Sequence, residues 1–108
     1  MENLHIVYIS DANYEMPTCI SILSLKKNCS KKAKFNIHIM SENLSESGKE
    51  KILSLRDFRF EIDIVKVDQD KYKYLADTCL SRGIHVTQAA LHKFDIPNVF
   101  INLDKILY

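Results

Sequence analysis

Three short runs of β-branched and aromatic residues, separated by segments with helical signals, constrain the fold of this chain most strongly. The runs lie at residues 4–9, 35–40 and 60–67. The first is typical of a strand buried on both faces, and the other two alternate apolar with polar residues, as strands do. Strands that alternate with helices at this spacing indicate βαβ units.

The segments between the runs carry helical patterns. Residues 16–25 repeat apolar side chains at positions 16, 19, 20 and 23, widened by positions 22 and 25, and Pro17 suits a first helical turn. A second helix is predicted before the third run, with Ser45 or Ser47 as its cap. Gly48 is a poor helix former, so the first residue of this helix stays open.

The remainder of the chain gives weaker signals. Residues 68–83 are polar and fit either a short helix or a loop, and residues 86–94 have helical character that is predicted to end before Pro97. A last strand is predicted to begin near Lys105. Right-handed crossovers between such strands give a mostly parallel sheet, so the predicted fold class is α/β, Rossmann-like, with flanking helices.

Composition excludes several classes of protein. With 108 residues, of which 46% are hydrophobic, the chain can bury one modest core, so residues 1–108 are interpreted as a single domain or part of one. The net charge of +1 predicts no nucleic-acid partner. The amino terminus lacks a basic leader, and no apolar run approaches the length of a membrane span. Three cysteines without CxxC spacing indicate neither a disulfide framework nor a zinc site, which favours the cytoplasm.

The first position where chemistry is expected follows the first strand. Ligands of open parallel sheets bind outside the carboxyl ends of the strands, and the sequence there is SDANY, residues 10–14. Asp11 offers an acceptor, Asn13 both donates and accepts, and Tyr14 supplies a flat face, so together they suit a nucleoside. The alternative, which composition alone favours, is that Asp11 and Asn13 are turn or capping residues.

A glycine-rich phosphate loop is absent from the sequence. Gly48 and Gly83 are the two glycines of the chain, so neither GxGxxG nor the Walker pattern occurs. A diphosphate would therefore need a metal ion or basic side chains, and Lys93 is a candidate for the latter.

Histidines and lysines add no further site. The four histidines do not form a metal-ligand spacing, and His5 and His38, which lie within predicted strands, are interpreted as packing or surface residues. Residues 26–34 contain five lysines. They are interpreted as complementing the dipole of the first helix and solubilising a loop, with contact to an anionic surface as the alternative.

Three blocks of the sequence resemble a known family in order and spacing. They are HIVYISDANY, VTQAALHKFDIPNVF and LDKILY. All three resemble the amino-terminal half of glycosyltransferase family 8, retaining enzymes of the GT-A fold that include bacterial lipopolysaccharide galactosyl- and glucosyltransferases. The last block is the strongest, because family members typically continue it as LDKVLYLDSDIIV.

The resemblance implies a role for most residues of the SDANY segment. Asp11 and Asn13 would bind the uracil and the ribose of a UDP-sugar, and Tyr14 would stack on the base. The backbone around Ile9 and Ser10 would line the donor pocket.

The resemblance also implies how the diphosphate is held. Lys93 stands where many members carry an arginine that faces the diphosphate and the sugar; a lysine keeps the charge but loses the bidentate fork. In the family, a DxD motif in the continuation of LDKILY holds a divalent cation, usually Mn²⁺, that neutralises the leaving group. The sequence stops at Tyr108, before that motif, so this chain is expected to contain no metal ligands.

The leading hypothesis is therefore a truncated partial domain over residues 1–108. It would be the donor-binding segment of a UDP-sugar-dependent hexosyltransferase that acts on a saccharide or lipopolysaccharide acceptor. We expect no turnover by these residues alone, and clear hydrolysis of a radiolabelled UDP-sugar with Mn²⁺ would contradict this. Because a sheet cut beside its central strands exposes apolar surface and an unpaired edge, self-association is also expected.

Two alternatives remain at the level of sequence. One is a non-catalytic α/β module that binds a nucleotide or a partner protein. The other is a receiver-like or flavodoxin-like domain with an accidental resemblance. It is the weakest, because Asp11 stands alone after the first strand and Asp68 and Asp70 lack the rest of the receiver pattern.

Overall fold

Three parallel strands form the centre of the molecule. The structure is a computed structural model that describes residues 2–29, 32–67, 73–83 and 91–108. Its strands are β1 (Glu2–Ile9), β2 (Ala33–Ser41) and β3 (Phe60–Lys66), paired in the order β1-β2-β3. The strands predicted at the three apolar runs are confirmed, and both pairings between them are parallel.

Helices connect the strands and follow them. In chain order they are a 3₁₀ turn at Ala12–Tyr14, α1 (Glu15–Asn28), α2 (Glu46–Leu53), α3 (Lys73–Ser81), a 3₁₀ turn at His92–Asp95 and the single-turn helix α4 (Ile96–Val99). Helices α1 and α2 occupy the two crossovers between the strands, as βαβ units require. The α/β, Rossmann-like fold is thus confirmed. No helix in the described part of the chain is long and apolar enough to cross a bilayer.

Apolar side chains cover the sheet on both faces. On one face, Ile22 of α1 and Ile52 of α2 pack on the strands, where the rings of Phe35 and Phe60 stack with centroids 4.9 Å apart. On the other face, a smaller cluster around Met40 includes the side chains of residues 96, 100 and 106. The second cluster lies near the carboxyl ends of the strands, so the carboxyl-terminal segment packs on this face close to those ends.

The carboxyl-terminal residues lie on the free side of β1. Leu107 N donates to His5 O at 2.9 Å, and Val7 N donates to Leu107 O at 2.8 Å. The strand predicted near Lys105 is present as this single parallel bridge. The chain passes from β1 to β2 on one side, and after β3 it returns to the other side of β1 at Leu107, so the direction of the connections reverses at β1. This is the topological switch point at which Rossmann-like sheets bind ligands.

The prediction for the buried face of α1 was wrong in part. Ile22 is buried, and Cys19 and Leu25 pack against the same core, as predicted. The helix also buries Thr18, whereas Met16, Ile20 and Leu23 are 59%, 58% and 50% exposed. The apolar positions of this segment are spread round most of the helix circumference, so their period alone could not select the face that meets the sheet.

The predicted effect of Pro97 was also wrong. The 3₁₀ turn at His92–Asp95 leads directly into α4, and Pro97 lies in the first turn of α4. Proline is tolerated there because the first amides of a helix need no intrahelical acceptor. Residues 86–90 of the predicted helix lie outside the described residues, as do residues 68–72. The uncertain segment before Gly83 contains α3, so its helical alternative is confirmed.

We predict that two isoleucines of α1 differ sharply in their contribution to stability. Ile22→Ala should lower the free energy of unfolding by about 2–5 kcal/mol, because the side chain is fully buried. Ile20→Ala, the matched control, should change it by less than about 0.5 kcal/mol. Urea unfolding followed by circular dichroism measures both. Equal losses would contradict the observed orientation of the helix.

An ion pair joins α1 to the turn before β3. Lys26 Nζ lies 2.9 Å from Asp57 Oδ2, and Asp57 Oδ1 accepts from the backbone amides of Arg59 and Phe60 at 2.8 and 3.1 Å. The hydrogen bond from Lys26, with smaller contributions from the two amides, lowers the pKa of Asp57. Folding therefore stabilises the ionised carboxylate.

This ion pair predicts a pH-dependent contribution to stability. A lowered folded pKa stabilises above the unfolded pKa of about 3.9, and the contribution is lost as pH falls through the folded value. Because the pair is partly exposed, Asp57→Asn should cost only a few tenths to about 1 kcal/mol at pH 7. In urea titrations, the difference from the native chain should shrink as pH falls below the unfolded pKa and vanish once the folded carboxyl is protonated. The exposed Asp104→Asn is the control, and a cost of Asp57→Asn that persists in acid would contradict the mechanism.

Candidate functional site

The segment SDANY lies at the carboxyl end of β1, as the sequence predicts. We call residues 10–14 the β1 loop. Ser10 N donates to Met40 O at 3.0 Å, so the pairing with β2 extends one residue beyond β1 itself. Ile9 and Ser10 therefore sit at the edge of the sheet next to the switch point, on backbone held by the strand.

A buried hydroxyl pair fixes the β1 loop to α1. Ser10 is almost fully buried, and its Oγ accepts from Thr18 Oγ1 at 3.1 Å while donating to Asp11 O at 3.2 Å. This pair explains why the buried face of α1 contains Thr18. Hydroxyls hydrogen-bonded in this way avoid the cost of burying polar groups.

Asp11 caps the 3₁₀ turn that completes the β1 loop. Its Oδ1 accepts from Asn13 N at 2.9 Å, and its carbonyl oxygen accepts from Tyr14 N at 3.1 Å. The capping interpretation of Asp11 is therefore confirmed. Within the described residues Oδ2 makes no hydrogen bond. The side chain of Asn13 is exposed and Tyr14 is 59% exposed, so these groups remain accessible to a ligand.

A second loop, residues 42–45, follows β2 and contacts the first. We call it the β2 loop. Asn43 Oδ1 accepts from Ala12 N at 3.3 Å, and the Glu15 carboxylate accepts from Ser45 N and Ser45 Oγ at 2.7 and 2.9 Å. The two loops meet because the carboxyl ends of neighbouring parallel strands lie at one edge of the sheet.

Ser45 is the cap of α2, which decides between the two predicted serines. Its Oγ accepts from Gly48 N at 3.0 Å. A Cβ atom on Gly48 would lie 2.0 Å from Glu15 Oε2, so a residue with a side chain would displace the Glu15 carboxylate. The glycine that obscured the helix start in the sequence is therefore needed for close approach to Glu15.

Lys93 lies on a different element from the β1 loop. It is exposed on the 3₁₀ turn at His92–Asp95, and its Nζ lies 5.6 Å from the centroid of the Phe94 ring. Within the part of the chain that the structure describes, no hydrogen bond or ion pair joins Lys93 to the β1 loop. The roles of all six predicted donor-binding residues stay predictions: Ile9, Ser10, Asp11, Asn13, Tyr14 and Lys93.

A buried polar cluster beside Lys93 was missed by the sequence reasoning. His92 is fully buried, with Nε2 3.1 Å from Glu42 Oε2 and Nδ1 3.8 Å from Asp95 Oδ2. The cluster attaches the turn that carries Lys93 to the β2 loop. Ionisable side chains are rarely buried without a partner. The partner of His92 is Glu42, which is 50 residues away in the sequence. Sequence periodicity reports only on neighbouring residues, so it gives no sign of this contact.

A row of polar side chains crosses the sheet in the middle of the strands. His5 Nδ1 lies 3.1 Å from His38 Nε2, and His38 Nδ1 lies 2.6 Å from Asp63 Oδ1. Phe100 packs on the His38 ring with centroids 4.8 Å apart. The interpretation of both histidines as packing or surface residues fits these contacts, since the row lies away from the carboxyl edge.

Cavities adjoin both loops. One of about 460 Å³ is lined by Ser41, Glu42, Asn43 and residues of α2 and β3. A smaller one of about 180 Å³ is lined by Ala12 and Asn13 together with residues of α1 and α2. A larger groove of about 840 Å³ beside β3 contains none of the predicted site residues, so its size does not indicate the site.

The described residues do not form a metal centre. No group of three or more histidine, cysteine, aspartate or glutamate side chains among them could hold a metal ion. The donor set of the described residues therefore does not fit the divalent cation that the resemblance implies.

Comparison with known proteins decides the family. The model of glycosyl transferase family 8 matches residues 5–108. The chain belongs to glycosyltransferase family 8. This confirms the resemblance and excludes the alternative that it is accidental. No curated protein and no solved structure gave a significant match.

Family membership sets the general activity. Members transfer a glycosyl group from a sugar donor to an acceptor and are generally metal-dependent. The matched region includes both the β1 loop and Lys93, so the candidate site lies within the family domain.

The two serines at the start of α2 allow a direct test of the loop geometry. Ser45→Ala should lower the free energy of unfolding by about 1 kcal/mol, because it removes the helix cap and a partner of Glu15. The control Ser47→Ala, in the first turn of α2, should cost less than about 0.5 kcal/mol. Urea unfolding measures both, and a larger cost for Ser47→Ala would contradict the assignment of the cap.

Proposed function

We propose that this chain binds the UDP part of a UDP-sugar donor at the β1 loop. The observation that carries the proposal is the position of SDANY at the switch point of the sheet, with its backbone fixed and its Asn13 and Tyr14 side chains exposed. Ligands of Rossmann-like sheets bind at this place. The match to a family whose members use a sugar donor supports a nucleotide sugar as the ligand.

Each group of the β1 loop has a role that suits its chemistry. Asp11 uses one carboxylate oxygen for the cap, so the other can accept from a ribose hydroxyl or from the uracil N–H. Asn13 both donates and accepts, which suits the edge of the base. Tyr14 offers a ring for stacking, and the backbone at Ile9 and Ser10 lines the pocket.

Lys93 is proposed to face the diphosphate. Its ammonium makes no ion pair with the described residues and is exposed, so it can approach an anionic ligand without breaking an existing pair. A single lysine neutralises only part of a diphosphate charge, which is why a divalent cation, expected to be Mn²⁺, belongs to the proposal. The described residues are assigned no part in holding that cation.

The finer identity of the enzyme is also a proposal. We assign the chain to a retaining hexosyltransferase that acts on a saccharide or lipopolysaccharide acceptor in the cytoplasm. The three free thiols support a reducing compartment. Donor binding is assigned to the residues named here, and the chemical step is assigned to none of them.

Calorimetry with UDP, with and without Mn²⁺, tests the proposal. Asp11→Ala should weaken binding at least tenfold, since hydrogen bonds to a charged group contribute about 1.5–3 kcal/mol. Asp11→Asn keeps a capping oxygen and should bind UDP with intermediate affinity, which separates binding from capping. Asp77→Ala, an exposed carboxylate on α3, is the control.

The outcome that contradicts the proposal is clear. If Asp11→Ala binds UDP as tightly as the native chain while remaining folded, the β1 loop does not recognise the nucleoside. Thermal unfolding of each variant, followed by circular dichroism, establishes that it is folded under the conditions of the titration.

A further inference from the structure

We propose that the β2 loop positions both parts of the donor site, through two consecutive residues. Asn43 holds the β1 loop, and Glu42 holds the turn that carries Lys93. This inference rests on the proposed function, because it concerns how the proposed nucleoside and diphosphate sites are kept in register. Glu42 and Asn43 are positioning residues in this account, and neither is required to touch the ligand.

The contact on the diphosphate side is buried and polar. The imidazole of His92 has no exposed area, and the side chains of Glu42 and Asp95 are only 15% and 8% exposed. Glu42 Oε2 lies 3.1 Å from His92 Nε2, which is hydrogen-bond distance. Lys93 follows His92 directly, so the place of this ring beneath the β2 loop determines where the backbone of Lys93 lies.

Polar chemistry at this point favours positioning over simple adhesion. Apolar side chains of similar volume would often hold a turn at least as strongly as a buried charged pair does. A hydrogen-bonded carboxylate and imidazole instead define a direction and a distance, because the bond weakens steeply when either changes. The cluster thus suits a role in which the placement of Lys93 matters more than the strength of attachment.

The contact on the nucleoside side is made by the next residue. Asn43 Oδ1 accepts from Ala12 N at 3.3 Å, in the middle of the β1 loop. Ser45 reinforces it by donating its backbone N–H and its hydroxyl to Glu15 at 2.7 and 2.9 Å. The β1 loop is therefore held by its own strand and by the β2 loop.

The two contacts together set a spacing. Glu42 and Asn43 are adjacent and follow the end of β2, where the buried residues Met40 and Ser41 pair with β1 and β3 respectively. Their partners, Ala12 and His92, are far apart in sequence. The rigid end of β2 consequently fixes the turn of Lys93 relative to the loop of Asp11, which is the geometry that a nucleoside diphosphate must span.

Binding of uridine compared with binding of UDP separates the two contacts. Uridine reports on the β1 loop alone, and the additional affinity of UDP reports on the diphosphate part. Glu42→Ala should weaken UDP about tenfold and leave uridine within twofold of the native chain. Asn43→Ala should weaken both ligands by a similar factor. Glu46→Ala removes an exposed carboxylate from the start of α2 and should alter neither affinity.

A double-mutant cycle then shows whether Glu42 acts through Lys93. Lys93→Ala should weaken UDP and spare uridine. In that background, Glu42→Ala should produce no further loss of UDP affinity, because the side chain that Glu42 positions is gone. Where Glu42→Ala unfolds, Glu42→Asp replaces it in the cycle, since the shorter side chain keeps the carboxylate but withdraws it from His92 Nε2.

The possible outcomes distinguish this inference from the proposed function. A folded native chain that binds neither uridine nor UDP contradicts the proposed function. The positioning role is overturned if the native chain binds both ligands and the factors by which the Glu42 and Lys93 substitutions lower UDP affinity multiply in the double variant. Equal loss of uridine and UDP affinity in Glu42→Ala would also overturn it, because a general loosening of the fold would then explain the effect.

Discussion

The parallel pairing of β1 with β2 is the constraint on which the rest of the structure depends. Parallel pairing places the carboxyl ends of both strands at one edge, so the loops that follow them meet. The register from Glu2 opposite Ala33 to Ile9 opposite Met40 brings Ala12 within reach of Asn43. With Leu107 on the other side of β1, the same edge becomes the switch point of the sheet. The candidate site follows from this arrangement.

Capping and ligand binding are compatible at Asp11. The sequence suggests them as alternatives, but the structure shows that the cap occupies one carboxylate oxygen. A cap of this kind also fixes the orientation of the carboxylate before any ligand arrives. Such preorganisation lowers the cost of ordering groups on binding, so the local role of Asp11 supports the proposed one.

Polar side chains join the β1 loop, the β2 loop and the turn of Lys93 at the carboxyl edge, in addition to the apolar cluster around Met40 that packs near this edge. The pair Ser10–Thr18 joins the β1 loop to α1, and the cluster around His92 joins the turn of Lys93 to the β2 loop. A chain that needed only stability could pack this edge with apolar residues. Directional contacts at the edge where ligands bind, supported by apolar packing of the sheet, are what a site with fixed geometry requires.

Much of the fold, and the place of the site, could be predicted from the sequence. The three strands, a serine cap at residue 45 or 47 and the position of SDANY after β1 depend on short-range patterns, which a sequence records directly. The face of α1 that is buried could not be predicted, because its apolar residues surround the helix. The helical turn through Pro97 was missed because proline marks a helix start as readily as an end.

By itself, the sequence determined the strand positions, the parallel α/β class and membership of the family, since each depends on local periodicity or on a motif in order. Only the tertiary structure decided that Thr18 and Ile22 face the sheet and that Glu42 meets His92. The physical reason is that those contacts join residues distant in sequence, and strand order brings them together. Local pattern specifies which segments form strands and helices, whereas the packing of the sheet selects the side chains that meet at its edge.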